Sequence, residues 1–396
     1  MSSNHDHSLI GFGTIAVHAG QEPEKWDSNQ VVAPISLSTT YKWERAGEKP
    51  NHTYSRSSNP TREALQQCLA ALEKAKYATV YSSGVAAGMA ALNLLQAGDH
   101  FVVDSGSYGG TLRYMKDICV GKHGLLSTVT DFLDYEHFAE EIKENTKLVF
   151  FETPTNPMLN IIDISKVVRI VKEKNPKILV VVDNTFASPY FQNPLSHGAD
   201  IVVHSMSKYI NGHSDVVMGA VMTNYPEIHQ ELRRIQNVGG SIPSPFDCWL
   251  ALRGIKTLHL RMEKHAQNVK ILAEYLEKHD GVEKLVCVAL PSHPHFELNN
   301  RQASGAPGLI SLFVKGGLEK ATCFLNSLKI FTCAESLGGV ESLAAHPSQM
   351  SHKELSREER ERLGIKDHLV RLSVGIEDHR DLIADLEQAF KKVQEL

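Results

Sequence analysis

Residues 178–219 read ILVVVDNTFASPYFQNPLSHGADIVVHSMSKYINGHSDVVMG and contain two short runs rich in valine and isoleucine. The first run ends at Asp183 and the second at Ser205. Continuous apolar runs of this length are typical of strands that are buried on both faces of a parallel sheet. Because ligands bind beyond the carboxyl ends of the strands in an open α/β sheet, Asp183 and Lys208 are predicted to face one crevice.

Lys208 is the strongest candidate for covalent chemistry in the chain. A lysine after a strand is most often a solvated surface charge. Lys208, however, has hydroxyls beside it at Ser205 and Ser207, and Asp183 ends the neighbouring predicted strand. A pyridoxal phosphate site requires these parts: a lysine for the Schiff base, a carboxylate that keeps the pyridine nitrogen protonated, and small donors for the phosphate.

The composition excludes several other classes of protein. Of the 396 residues, 42% are hydrophobic and 22% are charged, as in an ordinary globular protein of one large domain or two. The net charge of -5 gives no reason to expect nucleic acid or an anionic membrane as a partner. The first residues, MSSNHDHSLIGFGT, lack the pattern of a signal peptide, and no apolar run is long enough to span a bilayer.

The six cysteines are scattered and form no CxxC pair. This spacing argues against a zinc site and against a disulfide framework, and it predicts a reducing, cytoplasmic location. The 20 histidines show no HExxH motif, so no metal site is predicted.

The chain divides into three predicted parts. Residues 1–57 carry turn residues but no long amphipathic period, and we expect an extended arm that lies on another surface, such as a second subunit. Residues 58–258 alternate strands with helical stretches, which predicts a doubly wound, mostly parallel sheet of the α/β class. Residues 259–396 are predicted to form a smaller α+β domain. Its helix from the Ser356–Glu359 capping box ends at Gly364.

Two candidate anion sites precede helices. Tyr54 and Arg56 lie just before a helix for which Thr61 is the predicted N-cap, and an arginine there suits a phosphate. The stretch around Ser83 and Gly84 joins a strand to a small-residue helix. It is either a plain turn or an anion site at a helix N-terminus, and the residues alone do not separate these alternatives.

Three further positions are candidates for ligand contacts. Tyr108 precedes two glycines and is either a turn residue or an aromatic surface on which a ring stacks. Asn156 follows a predicted strand and points to the same strand ends. Arg371 lies in a strand of valine and leucine, where its partner is either a substrate carboxylate or a structural ion pair.

The order of the motifs resembles one enzyme family, the pyridoxal-phosphate enzymes of Cys/Met metabolism. The motifs are YSRSSNPT, SSGVAA, YGGT, ETPTNP, VVDNTF, SMSKYINGHSDVVMG, AESLGGVESLA and RLSVGIED. The resemblance runs from about His18 to the C-terminus. It implies a fold type I enzyme with an N-terminal arm, a large cofactor domain and a smaller C-terminal domain. It also implies a homotetramer built of two dimers with shared active sites.

The resemblance also implies roles for individual residues. The catalytic residues would be Lys208, Tyr108 and Asp183. The cofactor would be bound by Tyr54 and Arg56 of the neighbouring subunit and by Ser83, Gly84, Val85, Tyr108, Asp183, Thr185, Ser205, Ser207 and Lys208. The substrate would be bound by Arg113, Asn156, Glu335, Ser336 and Arg371.

Two positions indicate the reaction that the family resemblance implies. Glu335 is similar to the glutamate of the cystathionine gamma-lyase and gamma-synthase branches, and Gly110 stands where methionine gamma-lyases have a cysteine. The nearest branch, the eukaryotic gamma-lyases, implies cleavage of L-cystathionine to L-cysteine, 2-oxobutanoate and ammonia, with hydrogen sulfide release from cysteine as a side activity. A gamma-synthase, a beta-lyase and an inactive binding protein remain as alternatives.

Overall fold

The computed structural model describes residues 11–396. The first ten residues, MSSNHDHSLI, on which much of the signal-peptide expectation rests, lie outside the described part of the chain.

A seven-stranded sheet forms the large N-terminal part of the molecule. Its strands in chain order are β1 Tyr77–Tyr81, β2 His100–Asp104, β3 Leu126–Thr130, β4 Thr146–Glu152, β5 Leu179–Asp183, β6 Ile201–Ser205 and β7 Gly219–Thr223. The spatial order is β1-β7-β6-β5-β4-β2-β3, and β7 runs antiparallel to both of its neighbours. The other pairs are parallel, which confirms the predicted fold class.

Helices cover both faces of this sheet because alternate strand residues point to opposite sides. The α-helices of this part are α1 Phe12–His18, α2 Pro60–Leu72, α3 Gly84–Leu92, α4 Gly109–Tyr114, α5 Tyr135–Glu140, α6 Ile164–Lys174, α7 Ser188–Phe191, α8 Pro226–Gly239, α9 Pro245–Ile255 and α10 Leu258–Leu276. On one face Val103 packs in a core with Ala87 of α3. On the other, Val102 packs in a core with Val167 of α6.

A smaller mixed sheet forms the C-terminal part. Its strands are β8 Val282–Val286, β9 Leu309–Val314, β10 Thr332–Cys333, β11 Leu343–Ala345 and β12 Leu369–Ser373, and its helices are α11 Phe296–Gln302, α12 Gly317–Ser327, α13 Arg357–Arg362 and α14 His379–Gln394. Phe324 of α12 and Phe390 of α14 pack in a separate core on this sheet. Helix α10 contributes Met262 to the core of the large part and Val269 to this one, so it joins the two.

Local helix signals were predicted with mixed success. The capping box of Ser356 and Glu359 is present, and Gly364 follows α13 with a φ of 76°. The predicted N-cap Thr61 is wrong: Asn59 caps α2 by accepting hydrogen bonds from the backbone of Thr61 and Arg62. Asparagine is a better cap than threonine, and Pro60 suits the first helical position because its missing N–H needs no partner there.

The N-terminal arm is less extended than expected. Helix α1 lies within it, and Ala16 of α1 is fully buried in the core that includes Leu65 of α2. Seven residues are too few to show a sustained helical period, so α1 was not predicted. The rest of the arm up to α2 forms a three-residue 3₁₀ helix, Pro23–Lys25, and an isolated bridge between Thr40 and Tyr54.

Candidate active site

Lys208 lies three residues beyond the end of β6 and reaches across to the smaller part of the molecule. Its Nζ donates to the Oγ of Ser336 at 2.7 Å. Burial lowers the pKa of Lys208 to about 8, and the nearby positive charge of Arg371 adds to this effect. Ser336 itself has a φ of 94°, a left-handed conformation that is strained for a non-glycine residue. The two parts of the molecule therefore meet at a half-buried lysine of low basicity.

Asp183 ends β5, the strand next to β6. Its Oδ1 accepts hydrogen bonds from the backbone N–H and the hydroxyl of Thr185, at 2.9 and 2.5 Å. The Thr185 hydroxyl oxygen in turn accepts the backbone N–H of Ser205 at 2.8 Å. Burial raises the pKa of Asp183, and the bonds from Thr185 and the charge of His204 oppose this. Thr185 thus ties the predicted partner of the pyridine nitrogen to the predicted phosphate residues.

The start of α3 approaches Ser205 closely. The Ser83 side chain caps this helix by accepting the N–H of Ala86, which leaves the N–H groups of Gly84 and Val85 in the first turn. A β-carbon on Gly84 would lie 2.6 Å from the Cβ of Ser205, and one on Gly219 would lie 2.1 Å from the carbonyl oxygen of Ser83. The two glycines are therefore required for this close approach, which favours the anion site over the plain turn.

Arg371 lies in β12 and is buried, with 6% of its surface exposed. It donates to the Oδ1 of Asn156 at 3.0 Å and to the carbonyl oxygen of Ser336 at 2.7 Å. Its Nε is buried without a partner, and within residues 11–396 it forms no ion pair with a carboxylate. A buried guanidinium held by neutral acceptors is suited to an anionic ligand, and the structural ion pair is not formed.

Tyr108 is held by an acid that the sequence analysis missed. Its backbone N–H donates to the Oε2 of Glu152 at 3.0 Å, and its ring remains about half exposed. Glu152 pairs with Asp183 in the β4–β5 register, and burial together with the charge of Asp183 raises its pKa well above the ordinary value. Its position at the end of a buried strand, like that of Asp183, was the available signal. A β-carbon on Gly110 would lie 2.5 Å from the Tyr108 ring, so a larger residue there must displace the ring.

Tyr54 and Arg56 stay outside this cleft. The Arg56 guanidinium lies 5.5 Å from the centroid of the Tyr54 ring, and its Nε donates to Asn237 at 3.3 Å. Both side chains are exposed, and neither is hydrogen-bonded to a cleft residue in the part of the chain that the structure describes. Their predicted role in the neighbouring subunit's site stays a prediction.

The remaining predicted residues lie around the cleft. Ser207 is engaged with Met218, accepting its N–H at 2.9 Å and donating to its carbonyl oxygen at 3.3 Å. Glu335 is exposed beside Ser336, close enough for its charge to act on Lys208 and Arg371. Arg113 lines the same cavity as Asn156 and pairs there with Glu354 at 2.5 Å.

These residues fit pyridoxal phosphate on their own geometry. Gly84 lies close to Ser205, so the N–H groups in the first turn of α3 lie beside Ser83 and Ser205, where a phosphate can bind. Asp183 ends β5 and Lys208 follows the adjacent β6, and the Nε of Arg371 has no protein partner among the described residues. Covalent attachment, a ring-nitrogen partner, a phosphate cradle and a carboxylate site thus occur together.

A profile of Cys/Met metabolism PLP-dependent enzymes matches residues 13–391. The chain belongs to this family. Pyridoxal phosphate is therefore its cofactor, and the two-sheet architecture is that of fold type I.

Individual relatives cover nearly the whole chain. The cystathionine gamma-lyase of Sus scrofa is 50% identical over 96% of this chain and 93% of that protein. The cystathionine gamma-lyase of Homo sapiens is 49% identical with the same coverage. The crystal structure of cystathionine gamma synthase from Xanthomonas oryzae pv. oryzae in complex with cystathionine is similar at a TM-score of 0.94, with 40% identity over 97% of this chain and 99% of that one.

Two features are absent from the described part of the chain. Among residues 11–396, no helix is both long and apolar enough to cross a membrane. In the same range, no three His, Cys, Asp or Glu side chains lie together as ligands for a metal ion.

Proposed function

We propose that this enzyme cleaves L-cystathionine and water to L-cysteine, 2-oxobutanoate and ammonia, the gamma-lyase reaction of the family. The cleft, where Lys208 of low basicity lies next to Arg371 and the exposed Glu335, supports the shared chemistry of the family. The observation that carries the choice of the lyase is the likeness to named relatives. Two relatives of about 50% identity that are named cystathionine gamma-lyase support the same reaction.

Arg371 holds the substrate by its α-carboxylate. Asn156 and the carbonyl oxygen of Ser336 fix the guanidinium in place, and the unpartnered Nε offers a donor to the incoming carboxylate. Because both protein partners are neutral, the positive charge of Arg371 is left for the substrate. This contact orients the α-carbon toward Lys208.

Lys208 removes the α-proton. With its pKa at about 8, a substantial fraction of the amine is neutral near physiological pH, as a general base requires. Ser336 holds the amine when it is not engaged with a ligand. Bound pyridoxal phosphate supplies the electron sink that accepts the negative charge from the α-carbon, and Asp183 keeps the ring nitrogen protonated.

A second proton leaves the β-carbon, and the γ-sulfur departs and is protonated as the cysteine product. Tyr108 and Lys208 are the two groups that can move these protons, and Glu152 fixes the backbone of Tyr108. Glu335, exposed and anionic at the mouth, suits the ammonium group at the distal end of cystathionine.

The test is to supply L-cystathionine to the purified holoenzyme and identify the products by mass spectrometry. Cysteine with 2-oxobutanoate is the expected result, and Lys208→Ala is the matched inactive control. Homocysteine with pyruvate would identify a beta-lyase and contradict the proposal. An inactive binding protein is disfavoured because Lys208, Asp183 and Arg371 are all in place, and turnover excludes it.

A gamma-synthase, which joins an activated homoserine to cysteine, is the second candidate. It is favoured by the close structural likeness to the Xanthomonas synthase. The same Lys208, Tyr108 and Arg371 would serve it, so the cleft alone does not separate the two reactions. Acylated homoserine offered together with cysteine gives cystathionine only if the enzyme is a synthase.

Release of hydrogen sulfide from cysteine alone, the proposed side activity, is measured in the same preparation.

We also propose a homotetramer whose active sites are shared across each dimer. Tyr54 and Arg56 are exposed and lie outside the cleft of their own chain, and Val31 and Leu37 of the arm are 77% and 67% exposed. A second subunit would cover these apolar side chains and receive Arg56 in its phosphate site.

Mixing two inactive variants tests this sharing. Lys208→Ala and Arg56→Ala subunits, refolded together, should regain part of the activity because one mixed site is intact. No recovery in mixed oligomers, or unchanged cofactor affinity in Arg56→Ala, contradicts the shared site.

All six cysteines are free thiols, which supports the proposed cytoplasmic location.

A further inference from the structure

A buried acid, Glu73, lies beneath the cofactor site without any part in the reaction. It caps the C-terminus of α2, and its side chain is fully buried. Burial raises its pKa, and a negative charge at the C-terminal end of a helix is unfavourable. Helix stability therefore does not explain an acid at this position.

The Glu73 carboxylate instead joins two strand ends. Its Oε2 is 2.8 Å from the Nε2 of His204, and its Oε1 is 3.5 Å from the Nδ2 of Asn184. Asn184 makes its shorter hydrogen bonds with Gln192, at 2.7 and 2.9 Å, so His204 is the main contact of Glu73. His204 and Asn184 are also fully buried. Among residues 11–396 the Nδ1 of His204 has no partner, so the contact of its Nε2 with Glu73 alone fixes this ring by hydrogen bonding.

Both contacts lie one residue from the cofactor machinery. His204 directly precedes Ser205 at the end of β6, and Asn184 stands between Asp183 and Thr185 beyond β5. The backbone N–H of Asn184 also donates to the carbonyl oxygen of Val203, and Thr185 accepts from the N–H of Ser205. The two strand ends are thus bound to each other, and the Glu73 carboxylate contacts both of them, mainly through His204.

We propose that Glu73 is a positioning residue of the cofactor site, holding Ser205 and Asp183 at the spacing that the phosphate and the pyridine nitrogen require.

The test is the affinity of the apoenzyme for pyridoxal phosphate, measured by absorbance titration. Glu73→Ala should raise the Kd at least about tenfold, equivalent to about 1.4 kcal/mol. Glu73→Gln, which keeps the shape and one of the two contacts, should restore most of the affinity.

Asp385→Ala is the matched control. Asp385 is likewise buried and accepts three backbone N–H groups, from Lys329, Ile330 and Phe331, but it lies in the core of the smaller part. Its loss should lower the thermal midpoint and leave the Kd for pyridoxal phosphate within about twofold of the parent.

Two results overturn the proposal. One is a Glu73→Ala protein that is destabilised like Asp385→Ala but keeps the parent Kd. The other is a control variant that loses as much cofactor affinity as Glu73→Ala. If Glu73→Ala does not fold, His204→Asn decides, and parent affinity in that variant contradicts the role. No sulfur amino acid enters these titrations, so the result is independent of the proposed lyase reaction.

Discussion

The basicity of Lys208 leads to a quantitative prediction about the apoenzyme. Burial and the charge of Arg371 lower the pKa of Lys208 from 10.5 to about 8. At pH 7 roughly one amine in ten is then neutral, compared with roughly one in three thousand for an ordinary lysine. Only the neutral amine is nucleophilic, and its fraction in Lys208 is about 300 times that of an ordinary lysine, so Lys208 should react faster than exposed lysines at this pH.

Competitive labelling of the apoenzyme with a trace of acetic anhydride measures this directly. The labelled fraction of the Lys208 peptide is followed by mass spectrometry as a function of pH, with exposed lysines of the same chain as internal standards. We expect a half-maximal rate near pH 8. Apoenzyme is used because bound cofactor would block the amine.

Two variants test the physical cause. Arg371→Met removes the neighbouring positive charge, so the midpoint of Lys208 should move to higher pH. Glu335→Gln removes a negative charge that favours the protonated amine, so the midpoint should move to lower pH. A midpoint near 10.5 in the parent protein, or the same midpoint in all three proteins, would refute the reasoning.

Three further predictions concern single residues. Gly84→Ala should abolish cofactor binding, because the new Cβ would lie 2.6 Å from Ser205, whereas Gly88→Ala should be tolerated because its nearest neighbour is at 4.0 Å; cofactor titration of both variants checks this. Arg371→Lys should raise the KM for amino-acid substrates roughly 10- to 100-fold, since lysine lacks the guanidinium donors, and steady-state kinetics that show an unchanged KM would exclude the carboxylate contact. Burial lowers the pKa of His265 from 6.5 to about 4, so the unfolded chain binds the proton first and folding stability falls as the pH drops from 6.5 toward 4. At pH 5.5 this amounts to about 1.4 kcal/mol, and the fall in thermal midpoint between pH 7.5 and 5.5 should be smaller in His265→Gln than in the parent.

The parts of the site that sequence reasoning reached share one physical property. Asp183 and Lys208 follow short runs of buried valine and isoleucine, so strand direction alone brings them to the same edge of the sheet. Gly84 was a candidate because a glycine at the start of a helix lets the backbone approach an anion. The predicted sheet and these positions therefore rest on local patterns that tertiary packing does not override.

The parts that sequence reasoning did not reach depend on contacts between distant segments. Glu152 and Glu73 are acids at the ends of a strand and a helix, and nothing local shows that they are buried against Tyr108 and His204. The bond from Lys208 to Ser336 joins residues that are 128 positions apart. The alternatives for Arg371 separated only when its actual partners, Asn156 and a carbonyl oxygen, were visible. Family resemblance supplied roles for several residues of the site, but not for Glu152 and Glu73, which contact those residues or their chain neighbours.

The cleft holds charged groups whose ordinary ionisation the fold opposes. Burial lowers the pKa of Lys208 and of Arg371 and raises the pKa of Asp183 and of Glu152, so each of these groups makes the apoenzyme less stable than an apolar residue would. The signs are complementary to the ligands: Asp183 meets a protonated ring nitrogen, Lys208 an aldehyde and Arg371 a carboxylate. Binding of the cofactor and the substrate therefore offsets the unfavourable free energy of burying these charged groups. For this reason cofactor should stabilise the folded chain by more than its phosphate contacts alone provide, and the charged groups that weaken the apoenzyme are the ones that bind most selectively.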